Sequence, residues 1–177
     1  MNKTIEMLYD EHTVIKDAIG ITDSLNTLRQ QNPSAYKAAV RKVIAFLKGF
    51  ADGYHYYKEE TILFPEMIKK DELLKDGIIK KMLDNHKEFR GMIKAIENSL
   101  NEGEFEMVQN QLQTYTSKSL AHLAIENEKV FQAAETLFTD AELENIGIRF
   151  QDTDEELGIE KKKSLVEGVN QVRNGLS

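Results

Sequence analysis

Residues 79–103 read IKKMLDNHKEFRGMIKAIENSLNEG, and the spacing of their apolar positions decides the fold class. Ile79, Met82, His86, Phe89, Ile93 and Ile96 recur at steps of three and four, which places them on one face of an α-helix. Asn101-Glu102-Gly103 stops the pattern. The same period runs outward in both directions. Upstream, Tyr36, Val40, Val43, Leu47, Phe50, Tyr54 and Ile62 mark a helix reaching about Ile68, whose last turns Pro65 must bend or terminate. Before it, Ile5, Leu8, His12, Ile15, Ile19 and Thr22 mark a helix running to about Gln30 and ended by Asn32-Pro33-Ser34. Downstream, Phe105, Val108, Leu112, Tyr115, His122, Ile125 and Phe131 carry a fourth helix to about Phe138. Short connections between long helices force antiparallel neighbours, so the expected fold is all-α, an up-down-up-down four-helix bundle over residues 1–138.

Residues 139–177 read differently, as an additional C-terminal helical segment. Thr139-Asp140-Ala141-Glu142 resembles a capping-box helix start, followed by isolated apolar points at Leu143, Ile146, Phe150, Leu157, Leu165, Val169 and Val172. One or two short helices are expected, which either lie across the bundle or meet a second subunit in a homodimer. The run Lys161-Lys162-Lys163, following Asp154-Glu155-Glu156, reads as a solvated helix face.

Composition narrows the function classes. The chain has 177 residues, 41% hydrophobic and 30% charged, with two prolines and no cysteine. Zero cysteine removes disulfides, thiolate metal sites and a cysteine nucleophile, so any metal must use histidine and carboxylate. The formal charge of −7 argues against a duplex nucleic-acid partner. Neither a membrane span nor a signal peptide is read from the sequence, and a cytoplasmic location is expected.

All four histidines, His12, His55, His86 and His122, fall one on each bundle helix. Counted from the turns at ~1.5 Å rise per residue, their depths agree within roughly one to two helical turns, so the four rings can meet in one layer. His55 and His122 each have a glutamate four residues on, Glu59 and Glu126, and on a helix such pairs share a face. Four imidazoles and two carboxylates suffice for two divalent ions if both carboxylates bridge and solvent-derived oxygen completes the shells. Such a set suits iron, manganese or zinc rather than calcium or magnesium. Beside it, Tyr54, Tyr56 and Tyr57 read as packing residues, with Tyr54 or Tyr56 a candidate additional ligand. Glu60, turned ~100° from Glu59, is a candidate ligand or partner of a ligand. Glu11 reads as an outer-layer or solvated group, and Met82 as core.

The segment Gly53-Tyr54-His55-Tyr56-Tyr57-Lys58-Glu59-Glu60-Thr61-Ile62-Leu63-Phe64-Pro65 resembles the H-x-x-x-E-E-x-x-L-F-P signature of the hemerythrin-like (HHE cation-binding) family. Asp10-Glu11-His12, Asn85-His86-Lys87-Glu88 and the stretch from His122 to Glu126 resemble that family's other helix motifs, in order. The resemblance implies a four-helix bundle with a di-iron centre bridged by carboxylate and by an oxo or hydroxo group. It carries ligand roles onto His12, His55, Glu59, His86, His122 and Glu126, with Glu59 and Glu126 bridging. Met82 stands where oxygen-carrying members have a further third-helix histidine, and His122-x-x-x-Glu126 replaces their wider H-x-x-x-x-D. Both departures point away from simple oxygen carriage and toward the branch that handles oxygen, peroxide or nitric oxide, or senses iron. The expected function is binding or reduction of such a small ligand at an open iron position. The alternative is a non-catalytic iron or oxygen sensor or store.

Overall fold

The computed structural model describes residues 2–176, and every regular element among them is helical. Helix α1, Lys3–Ile19, starts at Asn2, whose side chain accepts a hydrogen bond from the Thr4 amide. A break at Gly20-Ile21 separates it from α2, Thr22–Gln31, where the apolar period reads one unbroken helix. Buried side chains bond to backbone carbonyls on both sides of the break. Thr22 Oγ1 donates to the Ile19 carbonyl at 2.8 Å, and Gln109 Nε2 donates to the Thr22 carbonyl at 2.7 Å. Apolar periodicity does not register such polar bonds, which is why the break escapes a sequence reading.

Helix α3 covers residues 33–70. Asn32 caps it by accepting from the Ala35 amide, and Pro33 occupies the first turn, where no amide hydrogen is needed. The helix is α-helical over Pro33–Phe46 and widens to π turns, with i→i+5 bonds, over Leu47–Tyr56 and Glu59–Leu63. It returns to α over Phe64–Lys70. Pro65 therefore neither ends nor isolates the last turns: it lies in the first turn of the segment that follows the second π stretch, where the hydrogen-bond register is already changing. A short 3-10 turn, Glu72–Leu74, leads to α4, Ile78–Glu102, which Gly103 closes at φ 78°. Helix α5 covers residues 105–137 and carries a π turn at Glu126–Val130. Thr139 and Glu142 form the expected capping box at the head of α6, Asp140–Leu157. Gly158, at φ 103°, turns the chain into α7, Ile159–Gly175.

Helix α4 packs along α5, α2 lies against α3 and α5, α6 rests on α1 and α3, and α7 runs along α3. Glycines permit two of these pairs to dock closely, Gly49 that of α3 with α7 and Gly147 that of α6 with α1. A Cβ on Gly49 would lie 2.6 Å from Leu165, and one on Gly147 would strike Thr4. The core forms two apolar clusters. One contains Ile15, Val43, Phe46, Phe89, Ile96 and Tyr115, the other Leu8, Leu63, Phe64, Met82, Phe131 and Phe150. Met82 is fully buried there, as core. Lys162 corrects the reading of its lysine run: Lys161 and Lys163 are exposed, but Lys162 turns inward to Glu11 and Asp154. Among the described residues no helix is long and apolar enough to cross a membrane.

Candidate metal centre

Between the two apolar clusters lies a polar layer made of His12 from α1, His55 and Glu59 from α3, His86 from α4, and His122 and Glu126 from α5. All six are at most 1% exposed. The histidines sit one helical step from both clusters, His12 between Leu8 and Ile15 and His86 between Met82 and Phe89. The amphipathic stripe of each helix is thus interrupted by one polar residue at a common depth. The two glutamates each open a π turn, Glu59–Leu63 on α3 and Glu126–Val130 on α5.

Nitrogen and oxygen atoms converge at short range. His12 Nε2 and His55 Nε2 face each other at 2.8 Å, and His86 Nε2 and His122 Nε2 at 3.2 Å. Glu59 reaches from one pair to the other, with Oε1 3.4 Å from His55 Nε2 and Oε2 3.5 Å from His86 Nε2. Glu126 does the same, with Oε2 3.3 Å from His12 Nε2 and Oε1 3.2 Å from His122 Nε2. Two groups could each hold a metal ion, His12 with His55, Glu59 and Glu126, and His86 with His122 and Glu126.

The outward nitrogen of every ring is held by a side chain from a neighbouring helix. His12 Nδ1 lies 2.7 Å from Asn127 Oδ1, His55 Nδ1 lies 2.8 Å from Glu11 Oε2, and His86 Nδ1 lies 2.8 Å from Glu60 Oε1. The amide nitrogen of Asn85, a donor, lies 3.1 Å from His122 Nδ1. At His12, His55 and His86 the facing atom is a carboxylate or amide oxygen, which accepts, so Nδ1 carries the proton and Nε2 presents a lone pair to the layer. Two lone pairs facing at 2.8 Å repel unless a cation lies within their reach. All four carboxylate oxygens of Glu59 and Glu126 are buried without a hydrogen-bond donor. These donor-poor oxygens and facing lone pairs fit a bound cation and are costly without one.

The electrostatics agree. Burial, then the nearby Glu126 carboxylate, pushes Glu59 well above the usual carboxylate range. Burial also works to raise Glu126, but His122, His12 and His86 outweigh it and hold that carboxyl well below. Burial pushes the His55 imidazole down to about 4, against the Glu11 hydrogen bond that works to raise it. Burial works to lower His86 too, yet Glu126 and Glu60 prevail and raise it.

The flanking candidates separate cleanly. Tyr54 turns away from the layer, its hydroxyl donating to the carbonyls of Leu157 and Gly158 at 3.0 and 2.7 Å. Tyr56 stacks on His86, with ring centroids 3.9 Å apart and planes 14° apart. Glu60 supports His86 from outside and is tied by Arg90 to Asp52. Glu11 is buried against His55 rather than solvated. Asn85 and Asn127 escape the sequence reading as functional residues, and the one signal for them is adjacency in the chain to His86 and Glu126.

No curated protein and no solved structure matches the chain. The profile of the hemerythrin HHE cation binding domain matches residues 3–134, the span that contains every side chain of the buried layer and the four that hold its rings. With three quarters of its length so matched, and with that layer built as a cation requires, the chain belongs to the hemerythrin HHE cation-binding family.

Proposed function

We propose that the layer holds two iron ions, with manganese or zinc as alternatives, and that the protein binds or reduces a small ligand such as oxygen, peroxide or nitric oxide. In this reading the four ligand-bearing helical runs form an up-down-up-down bundle. His12 and His55 would hold one ion and His86 and His122 the other, with Glu59 and Glu126 each offering one oxygen toward each histidine pair. The observation that carries the reading is that each carboxylate spans the two histidine pairs with no hydrogen bond to either oxygen. Iron with a position left open by the protein supplies ligand binding and electron exchange. The chain's own groups do the rest. Glu11, Glu60, Asn85 and Asn127 hold the rings so that Nε2 faces inward. Phe131 against His12, Tyr56 against His86 and Phe89 against His122 exclude bulk water from the layer. The test is metal analysis with an absorption spectrum of protein purified without added metal. About two iron ions per chain with near-ultraviolet charge-transfer absorption supports the reading; protein that neither contains nor takes up metal overturns it.

A second reading, a sensor in which the centre's state reaches the C-terminal helices, is favoured by one observation. Lys162 and Asp154 of those helices touch the same cluster as Glu11, which holds His55.

A further inference from the structure

Residues 139–177 lie beyond the family match, yet two of their side chains reach the group that holds a ligand histidine. Glu11 divides its two oxygens between two tasks. Oε2 accepts from His55 Nδ1 at 2.8 Å. Oε1 faces two ammonium groups, that of Lys58, with which it is in direct contact, and that of Lys162 at 2.7 Å. Asp154 completes the cluster, with Oδ1 3.1 Å from Lys58 Nζ and Oδ2 2.5 Å from Lys162 Nζ. Two carboxylates and two ammonium groups make a neutral set, as burial requires: Lys58 is fully buried and Glu11 is nearly so. Breaking such a set by removing one member leaves an uncompensated charge next to His55.

The other carboxylate-held histidine has a comparable support, built wholly within the family span. Glu60 holds His86 Nδ1, and Arg90 from α4 ties Glu60 to Asp52. On the His55 side the corresponding cations and counter-charge come partly from α6 and α7. That segment is pinned at this spot. Tyr54, the residue before His55, donates to the Leu157 and Gly158 carbonyls at the α6–α7 turn. Lys162 also lies over the rings of Phe50 and Tyr54, at 5.6 and 5.7 Å.

We propose that Asp154 and Lys162 are positioning residues of the metal centre. With Lys58 they fix Glu11 so that Oε2 holds His55 Nδ1 and His55 Nε2 stays aimed at the layer. The proposal rests on the metal-centre reading above. Partners of this kind orient a ligand ring, and their loss costs metal affinity about 10- to 100-fold.

The test is a Co(II) titration of metal-free full-length protein, followed by visible d–d absorption. The set is wild type, Lys162→Met, Lys162→Arg, Asp154→Asn and, as control, Lys163→Met, whose target is exposed and pairs with Glu160. Circular dichroism checks each fold. Lys162→Met and Asp154→Asn are expected to weaken Co(II) binding about 10- to 100-fold and to alter the d–d band. Lys162→Arg should restore both, and Lys163→Met should leave both as in wild type. A second readout needs no metal: the ring nitrogen resonances of His55 in 15N-labelled apoprotein should move in Lys162→Met and return in Lys162→Arg. Wild-type-like Co(II) affinity, spectrum and His55 resonances in Lys162→Met would overturn the positioning role while leaving the metal centre intact. Wild type that binds neither Co(II) nor Fe(II) would sink the metal-centre reading, and this role with it.

Discussion

Asn127 follows Glu126 in the chain, yet the ring it holds is that of His12, on another helix. The same displacement recurs around the layer. Glu11, beside His12, holds His55; Glu60, beside Glu59, holds His86; Asn85, beside His86, meets His122. The supports therefore run in a closed circuit from α1 to α3, α4, α5 and back. The six proposed ligands were legible because His55 and His122 each share a helical face with a glutamate four residues on, while His12 and His86 fall on the apolar face of their own helices. The circuit was not, because it depends on how each helix is rotated against the next, and no spacing within one helix records that. Removing a proposed bridge should separate metal binding from stability. Glu59→Gln keeps the volume and deletes a buried carboxyl that has no donor, so the metal-free variant is expected to melt no lower than metal-free wild type. Its metal content should fall sharply, whereas Glu142→Ala, at the capping box, should keep full metal. Equal metal content in Glu59→Gln and wild type, measured by elemental analysis, would count against the bridge. Acid supplies another expectation. Burial holds His55 at about 4 in the metal-free fold, below an unfolded value of ~6.5. Between those values the unfolded chain binds a proton that the native state does not, so the share of stability that His55 contributes drops as pH falls through that window. An NMR titration of the His55 ring in apoprotein from pH 7 to pH 4 should show it neutral until well below ~6.5, and protonation near that unfolded value would contradict it.

At the scale of elements, helix extents were legible where apolar period and caps coincide. Gly103 stops α4 and the Thr139 box opens α6 as the sequence suggests. The π turns were not legible, since widening from i→i+4 to i→i+5 leaves the residue types unchanged. Two of them begin at Glu59 and Glu126, so the wider register occurs where the carboxylates enter the layer. The cap and the close approach of α6 to α1 yield separate expectations. Thr139→Ala removes the side chain that accepts from the Glu142 amide and should cost about 1 kcal/mol, read as a lower denaturant midpoint. Gly147→Val drives a branched side chain into Thr4, whose hydroxyl donates to the Leu143 carbonyl at 2.7 Å. A loss of roughly 1–3 kcal/mol is expected. If Gly147→Val matches wild type in urea, α6 is not held against α1 as described.

For the molecule as a whole, a cation bound by residues from four helical runs acts as a tie between them. Ligand that binds the native state alone stabilises it by RT ln(1 + [L]/Kd), about 2.7 kcal/mol at a hundredfold excess over Kd. Loaded protein should therefore melt several degrees above apoprotein, and a chelator should abolish the difference; coincident melts would argue against a tie. The placement of the polar layer has one more consequence. Because it separates two apolar clusters, the metal-free molecule has two cohesive halves joined by a plane of groups that gain little from contact with one another. Each half can then open on its own. Amide hydrogen exchange in apoprotein should sort into two groups with distinct opening free energies, one around Val43, Phe46 and Ile96 and one around Leu63, Phe131 and Phe150. Once metal is bound the two groups should merge, and the protein should breathe as one cooperative body.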